Sequence, residues 1–217
     1  MRYSAVIPAA GKGERLGLGY NKVLYRSDDV SIIEKTLKPF IEDCECSDIV
    51  VVCSAVDKEN LSSFIKHPKV NFVLGGSCRE ESVYNGLQAI KENLVLIHDG
   101  ARPFVTTLMI DVIKSSLAFG RSVVPVVKSK DATLINGRYE KNAEVMLIQT
   151  PQAFYTKTLL EAFEVVKEKN TFANYKDDAS IVQDILGITP YLVEGDYKNI
   201  KITTISDLKS LEVKEDA

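Results

Sequence analysis

Five short runs rich in valine, isoleucine and leucine constrain this chain more than any other feature: Tyr3 to Pro8, Ile49 to Cys53, Val70 to Leu74, Leu94 to His98 and Ser122 to Val127. Each has the length of a strand buried on both faces. Between them lie helix-sized segments with apolar residues at helical spacing: Ser31 to Ile41, Lys58 to Ile65, Glu80 to Lys91 and Leu108 to Phe119. Strand alternating with helix implies right-handed crossovers. The expected fold is therefore α/β, with a doubly wound, mostly parallel, Rossmann-like sheet.

The rhythm breaks after Val127. Lys128 to Glu144 is polar and holds the turn pair Asn136-Gly137, flanked by residues such as Thr133, Leu134 and Ile135. This pattern predicts a β-arm projecting from the sheet, spanning about 128–148. An arm that cannot bury its own apolar face needs a partner, so a homodimer formed through the arm is expected. The chain returns through Val145 to Gln149, a helix at Thr156 to Glu168, a second helix from near Asp177 and a strand at Thr189 to Glu194. A final short strand, Ile200 to Thr203, leads into a helix capped by Ser206 or Thr204. With no internal repeat, residues 1–217 read as one domain carrying an arm.

Charge narrows the function. Lys and Arg number 27 against 30 Asp and Glu, a net charge of −3, which argues against a protein that coats nucleic acid. No stretch approaches the ~18 to 20 apolar residues of a membrane helix. The N-terminal apolar run is too short for a secretory signal, so a cytoplasmic location is expected. Cys44, Cys46, Cys53 and Cys78 form no CxxC pair, and His67 and His98 complete no zinc spacing. The cysteines read as reduced thiols, with Cys53 a small apolar strand residue.

Three strand ends carry residues suited to chemistry. The loop Ala9-Ala10-Gly11-Lys12-Gly13-Glu14-Arg15-Leu16-Gly17 directly follows the first strand, where an open parallel sheet binds its ligand. Small residues let backbone N–H groups approach phosphate oxygens, and basic side chains neutralise them. The loop lacks the Gly-Lys-Ser/Thr of a Walker A motif. Gly11 and Gly13 begin a GxGxxG pattern, but Leu16 replaces its third glycine. Lys12, Arg15 and Lys22 suit a pyrophosphate being expelled, whereas a plain strand-to-helix turn is the competing account.

The second cluster is His98-Asp99-Gly100-Ala101-Arg102-Pro103. Asp99 can hold Mg²⁺ directly or through water, or cap its loop and pair with Arg102. His98 reads as a core or hydrogen-bonding residue. The third cluster runs from Gly75 to Ser82; Ser82 either reaches a base edge or caps a helix.

In order and over nearly the whole chain, PAAGKGERLG with Lys22, GGSCREESVYNGL, HDGARPF, QTPQAF, DDASIV and NIKITTISDL resemble the cytidylyltransferases that make CDP-methylerythritol in isoprenoid synthesis. The related ribitol-5-phosphate cytidylyltransferases share this layout. The resemblance implies a fold of the nucleotide-diphospho-sugar transferase type and transfer of CMP from CTP to a small polyol phosphate, with Mg²⁺ and release of pyrophosphate. It assigns catalysis to Arg15, Lys22 and Lys201. CTP would lie against Pro8, Ala9, Ala10, Gly11 and Gly13, then Gly76, Arg79 and Ser82, then Asp99 and Gly100; Asp99 would also be the metal ligand. Lys201, Arg102, Lys176 and the position of Asn142 would serve the acceptor phosphate, and the arm would complete the neighbouring subunit's site.

The sequence departs from that pattern at four positions. Asn142 stands where the family usually has an arginine, with Lys141 beside it, and an amide cannot grip a phosphate as a guanidinium does. Lys176 replaces a threonine, Asn21 a proline and Gly100 an alanine. The competing acceptor is ribitol 5-phosphate or another polyol phosphate. Two further alternatives are a nicotinamide-dependent oxidoreductase, which would want an acidic residue closing the second strand, and a non-catalytic nucleotide-binding relative.

Overall fold

The computed structural model describes residues 1–11, 13, 16–139 and 144–211. The first strand, β1 (Tyr3–Pro8), is followed by a long loop, a single 3-10 turn at Lys22–Leu24 and a small ribbon of β2 (Arg26–Ser27) and β3 (Val30–Ser31). Helix α1 (Ile32–Glu42) starts at Ser31, whose hydroxyl accepts from the Glu34 amide while the Glu34 carboxylate accepts from the Ser31 amide. β4 (Cys46–Cys53), α2 (Ala55–Phe64), β5 (Val70–Leu74), α3 (Arg79–Leu87), β6 (Leu94–Ile97), α4 (Thr107–Ser116) and β7 (Ser122–Lys128) continue the alternation.

The main sheet runs β5, β4, β1, β6 as parallel neighbours. Every strand has two faces to cover. Ala5, Ile7, Ile49, Val51 and Leu96 lie in one buried layer with Leu37 and Phe40 of α1 and Ile110 and Ile113 of α4. Val6, Val50, Val52, Val95 and Ile97 lie in the other, with α3 and two later helices. Alternate residues of β1, β4 and β6 thus enter opposite cores, which is why those runs read as uninterrupted hydrophobics, whereas β5, expected from its run to be buried on both faces, is instead a half-buried edge strand with Asn71 and Leu74 exposed.

Beyond β7 the arm consists of β8 (Leu134–Ile135) and β9 (Arg138–Tyr139), joined at Asn136 and Gly137, whose φ angles of 51° and 79° are those of a primed hairpin turn. Residues 140–143 lie outside the described set. The chain returns as β10 (Met146–Ile148), antiparallel to β7, then as β11 (Gln152–Tyr155), antiparallel to both β6 and β7. Then α5 (Thr156–Glu168) and α6 (Asp178–Leu186) cover the second core. β12 (Tyr191–Glu194) pairs parallel with β7, and α7 (Ile205–Leu208) follows Thr204 as its N-cap. No helix among the described residues is long and apolar enough to cross a membrane.

One further expectation is corrected, and one strand lies outside what the sequence implied. Ile200 to Thr203 is not a strand: Ile202 makes one backbone bond to the carbonyl of Ala101, and no ladder forms. Gln152–Tyr155 is a strand that the sequence did not suggest, because a four-residue QAFY run after a proline carries neither length nor alternation. Elsewhere boundaries shift by a few residues; α2 begins at Ala55 because Ser54 caps it through the Asp57 amide.

Helix α3 lies so close to the sheet that a Cβ on Gly86 would stand 2.6 Å from Val6 Cγ1 and 2.8 Å from Val52 Cγ2. Gly86→Ala is expected to lower stability despite the roughly 1 kcal/mol of helix propensity it gains, because overpacking costs about 1–3 kcal/mol. A thermal midpoint below that of the parent protein is the expected readout.

Candidate active site

The chain proceeds from β1 to β4 and β5 on one side of β1, then places β6 on its other side. Loops after β1 and β6 therefore diverge, and a crevice opens between them at the carboxyl ends of the strands. A cavity of about 660 Å³ occupies this position. One wall is Pro8 to Gly11 with Gly13 and Lys22; the second is Gly76 to Arg79 with Ser82; the third is Asp99 to Ala101, closed by Lys201 and Thr203.

Each wall is built for close approach. Gly13 adopts a φ of +69°, and a Cβ there would meet the Lys22 amide nitrogen at 2.9 Å. A Cβ on Gly75 would meet Ala10 Cβ at 2.7 Å, so the loop after β5 folds directly onto the loop after β1. Ser82 is buried: its hydroxyl accepts from the Gly76 amide at 3.1 Å and donates to the Cys78 carbonyl at 2.8 Å. Its oxygen thus shapes the 76–78 turn. Leu16, at the position of the missing third glycine, joins Ile32, Ile202, Leu208 and Leu211 in a satellite core. That cluster brings the 200–203 segment beside the β1 loop, and Lys22 Nζ donates to the Ile202 carbonyl at 2.6 Å.

Asp99 is the centre of charge. Its carboxylate accepts from Arg79 Nε at 3.0 Å, pairs with Lys201 Nζ at 2.9 Å and lies 3.6 Å from Arg102 Nε. Burial alone would raise its pKa, but Arg79, Lys201 and Arg102 outweigh burial and hold it far below the usual carboxylate range. Arg79 also makes a bidentate pair with the buried Asp178 at 3.1 and 2.8 Å, which braces the start of α6 against the cavity. Arg102 is 9% exposed and donates to the carbonyls of Asn199 at 2.7 Å and Ile148 at 3.4 Å. It ties the arm's return strand to the turn before Lys201.

The residues expected from the sequence divide accordingly. Pro8, Ala9, Ala10, Gly11, Gly13, Lys22, Gly76, Arg79, Ser82, Asp99, Gly100 and Lys201 border one cavity. Arg102 stands behind it, and Lys176 is exposed before α6 and does not line it. Lys12, Arg15, Lys141 and Asn142 lie outside the described residues. Sequence reasoning left out Ser77, Cys78 and Thr203 as cavity residues and treated Asn21 only as a departure. Among the described residues Asp99 is the one carboxylate on the cavity, and no group of three His, Cys, Asp or Glu side chains is placed to hold a metal. This donor set fits a divalent ion carried on phosphate oxygens and water, not a protein cage.

His98 is fully buried, as expected of a structural histidine. The Asp99 amide donates to Thr150 Oγ1 at 3.0 Å, leaving that hydroxyl to donate to His98 Nδ1 at 3.0 Å. Nε2–H then donates to the Arg102 carbonyl at 3.1 Å. The neutral ring therefore staples both ends of the Asp99 loop.

A parallel sheet with a glycine-rich crevice at its switch point, lined by cations on opposite walls, defines a nucleotide-handling α/β protein. A sequence profile described as IspD, 2-C-methyl-D-erythritol 4-phosphate cytidylyltransferase, matches residues 3–214, and the chain belongs to that family. The enzyme of this name from Bacillus pumilus (strain SAFR-032) is 37% identical over 218 residues, covering 96% of this chain and 94% of its own. The crystal structure of the Francisella tularensis enzyme of the same name superposes with a TM-score of 0.83 at 29% identity, covering 97% of this chain and 98% of that one. The bifunctional IspDF of Campylobacter jejuni gives a TM-score of 0.85 at 26% identity over 97% of this chain, which spans 54% of that longer protein.

Burial pushes the His98 pKa down from 6.5 to about 4. Between those values the unfolded chain takes up a proton that the folded chain refuses, so stability falls as the pH drops. From pH 6.5 to 5 this group is expected to account for roughly 1 to 2 kcal/mol of lost stability. Urea unfolding at the two pH values should show a correspondingly smaller drop in His98→Gln.

Proposed function

We propose that this chain transfers CMP from CTP to 2-C-methyl-D-erythritol 4-phosphate, releasing pyrophosphate, in isoprenoid biosynthesis. The observation that carries this reading is the convergence of Lys22 and Lys201 on one glycine-lined crevice, Lys22 bonded to Ile202 and Lys201 to Asp99. CTP would lie against the Pro8–Gly13 and Gly76–Ser82 walls, with amides and small residues approaching its phosphates. An oxygen of the acceptor phosphate attacks the α-phosphorus; a new P–O bond forms as the bond to the β-phosphate oxygen breaks. That phosphate is already anionic near neutral pH, so no general base is needed. The protein supplies in-line placement and positive charge.

Lys22, with Arg15 by family position, stabilises the charge gathering on the α-phosphate and on the departing pyrophosphate. Lys201 turns from Asp99 to the acceptor phosphate. Mg²⁺ is the proposed metal: Asp99 is the carboxylate that would hold it with the substrate's phosphates, and when bound it would supply positive charge to offset that of the leaving pyrophosphate. Asn142 and Lys176 leave a second acceptor, ribitol 5-phosphate or another polyol phosphate, as the alternative. The protein is proposed to work in the cytoplasm as a homodimer through its arm, whose Leu134, Ile135, Tyr139, Leu147 and Ile148 are exposed in the single chain.

Incubation with CTP, Mg²⁺ and methylerythritol, ribitol, glycerol or choline phosphate in turn is expected to yield pyrophosphate and a CDP product by mass only with methylerythritol phosphate. Product with another acceptor instead moves the assignment to that substrate. Lys22→Ala and Arg15→Ala are each expected to cut kcat on the order of 10²- to 10³-fold, much more than they raise KM for CTP. Analytical ultracentrifugation at micromolar concentration should give a dimer.

A further inference from the structure

Asn21 precedes Lys22, is 5% exposed and uses its whole side-chain amide. Nδ2 donates to the Ala9 carbonyl at 2.7 Å and to Asp57 Oδ2 at 2.9 Å, while Oδ1 accepts from the Val23 amide at 3.3 Å. The partners fix the orientation, since a flipped amide would set its oxygen against two other oxygens. Its backbone carbonyl accepts from the Leu24 amide at 3.0 Å, so Asn21 caps the turn that carries Lys22.

The bond network runs across the site wall. Ser54 caps α2, and its hydroxyl also donates to Asp57 Oδ2 at 2.7 Å. Asp57 thereby anchors the amide of Asn21 to the end of β4. Ala9 follows β1, its backbone N–H donates a hydrogen bond to the Val52 carbonyl at 2.7 Å, and its own carbonyl accepts from Asn21. Gly13 is packed against the Lys22 amide, so the same turn also fixes the far side of the loop.

We infer that Asn21 is a positioning residue for nucleotidyl transfer: it locks the Lys22 turn to the Ala9 carbonyl and to Asp57, setting where Lys22 enters the crevice. The inference rests on the transfer reaction proposed above. Asn21 has a φ of −63°, the value a proline ring imposes. The same turn can therefore be held either by a fixed φ or by a side-chain bridge, and this chain uses the bridge.

The test is steady-state kinetics of CTP turnover in Asn21 and Asp57 variants, with thermal midpoints measured alongside. Asn21→Ala is expected to lose kcat by about 10- to 100-fold with KM for CTP changed by less than about 3-fold, the pattern of a displaced transition-state group. Asn21→Pro should recover most of that loss. Asn21→Asp places a carboxylate against Asp57, and pairing it with Asp57→Asn, whose amide can donate back, should restore part of the rate. If Asn21→Ala does not fold, Asp57→Ala carries the test, with a smaller loss of kcat expected. A kcat within about twofold of the parent in Asn21→Ala, or in Asp57→Ala where that variant stands in, overturns the role, as does a rise in KM alone. A parent protein that releases no pyrophosphate from CTP with any acceptor fails the transfer reading, and the role with it.

Discussion

The site depends on a buried carboxylate that cannot stand alone. An uncompensated charge in a protein interior costs several kcal/mol, and Asp99 meets this demand with cations from three parts of the chain: Arg79 at the start of α3, Arg102 in its own loop and Lys201 near the C-terminal end. Those ion pairs draw together walls that the sheet topology places side by side without joining. Asp99 supplies the negative charge around which these cations arrange. Under the proposed reaction, a phosphate entering the crevice would draw Lys201 away from Asp99, while Arg79 stays held by Asp178.

A second constraint is mechanical. Glycines at 13, 75 and 86 mark places where backbone or helix comes within a side chain's width of its neighbour, and the β1 loop, the β5 turn and helix α3 lock together there. The satellite core around Leu16 and Ile202 adds the C-terminal segment to this assembly. Lys22 and Lys201 are thus placed by apolar packing as much as by charge.

Much of this was legible in the sequence, for physical reasons that differ by element. β1, β5 and α5 match the expected limits residue for residue: β1 is buried on both faces and α5 is strongly amphipathic, while β5, a half-buried edge strand, is bounded by His67-Pro68 and Gly75-Gly76. β11 was illegible because its pairing comes from β6 and β7 and not from its own four residues. At the site, glycines and lysines after strands announced the crevice. The partners of Arg79 did not appear, because Asp178 lies 99 residues away and no spacing rule links the two. Asn21 was visible only as an unusual residue; its bridge to Asp57 exists in three dimensions alone.

The order in which the walls are contributed has a bearing on how such a chain can change over generations. The surfaces proposed for CTP come from strand ends between residues 8 and 100, within the parallel half of the sheet. The residues proposed for the acceptor fall later: Arg102 just past Gly100, then the arm, Lys176 before α6 and Lys201. Asn142 and Lys176 both lie in that later half, and Lys176 does not touch the cavity. Under that proposed assignment, mutation can explore acceptor preference with little penalty in nucleotide handling, provided that Arg102, Lys201 and the Arg79–Asp178 brace are kept. One half of the site is held still by its own packing while the other is left open to variation.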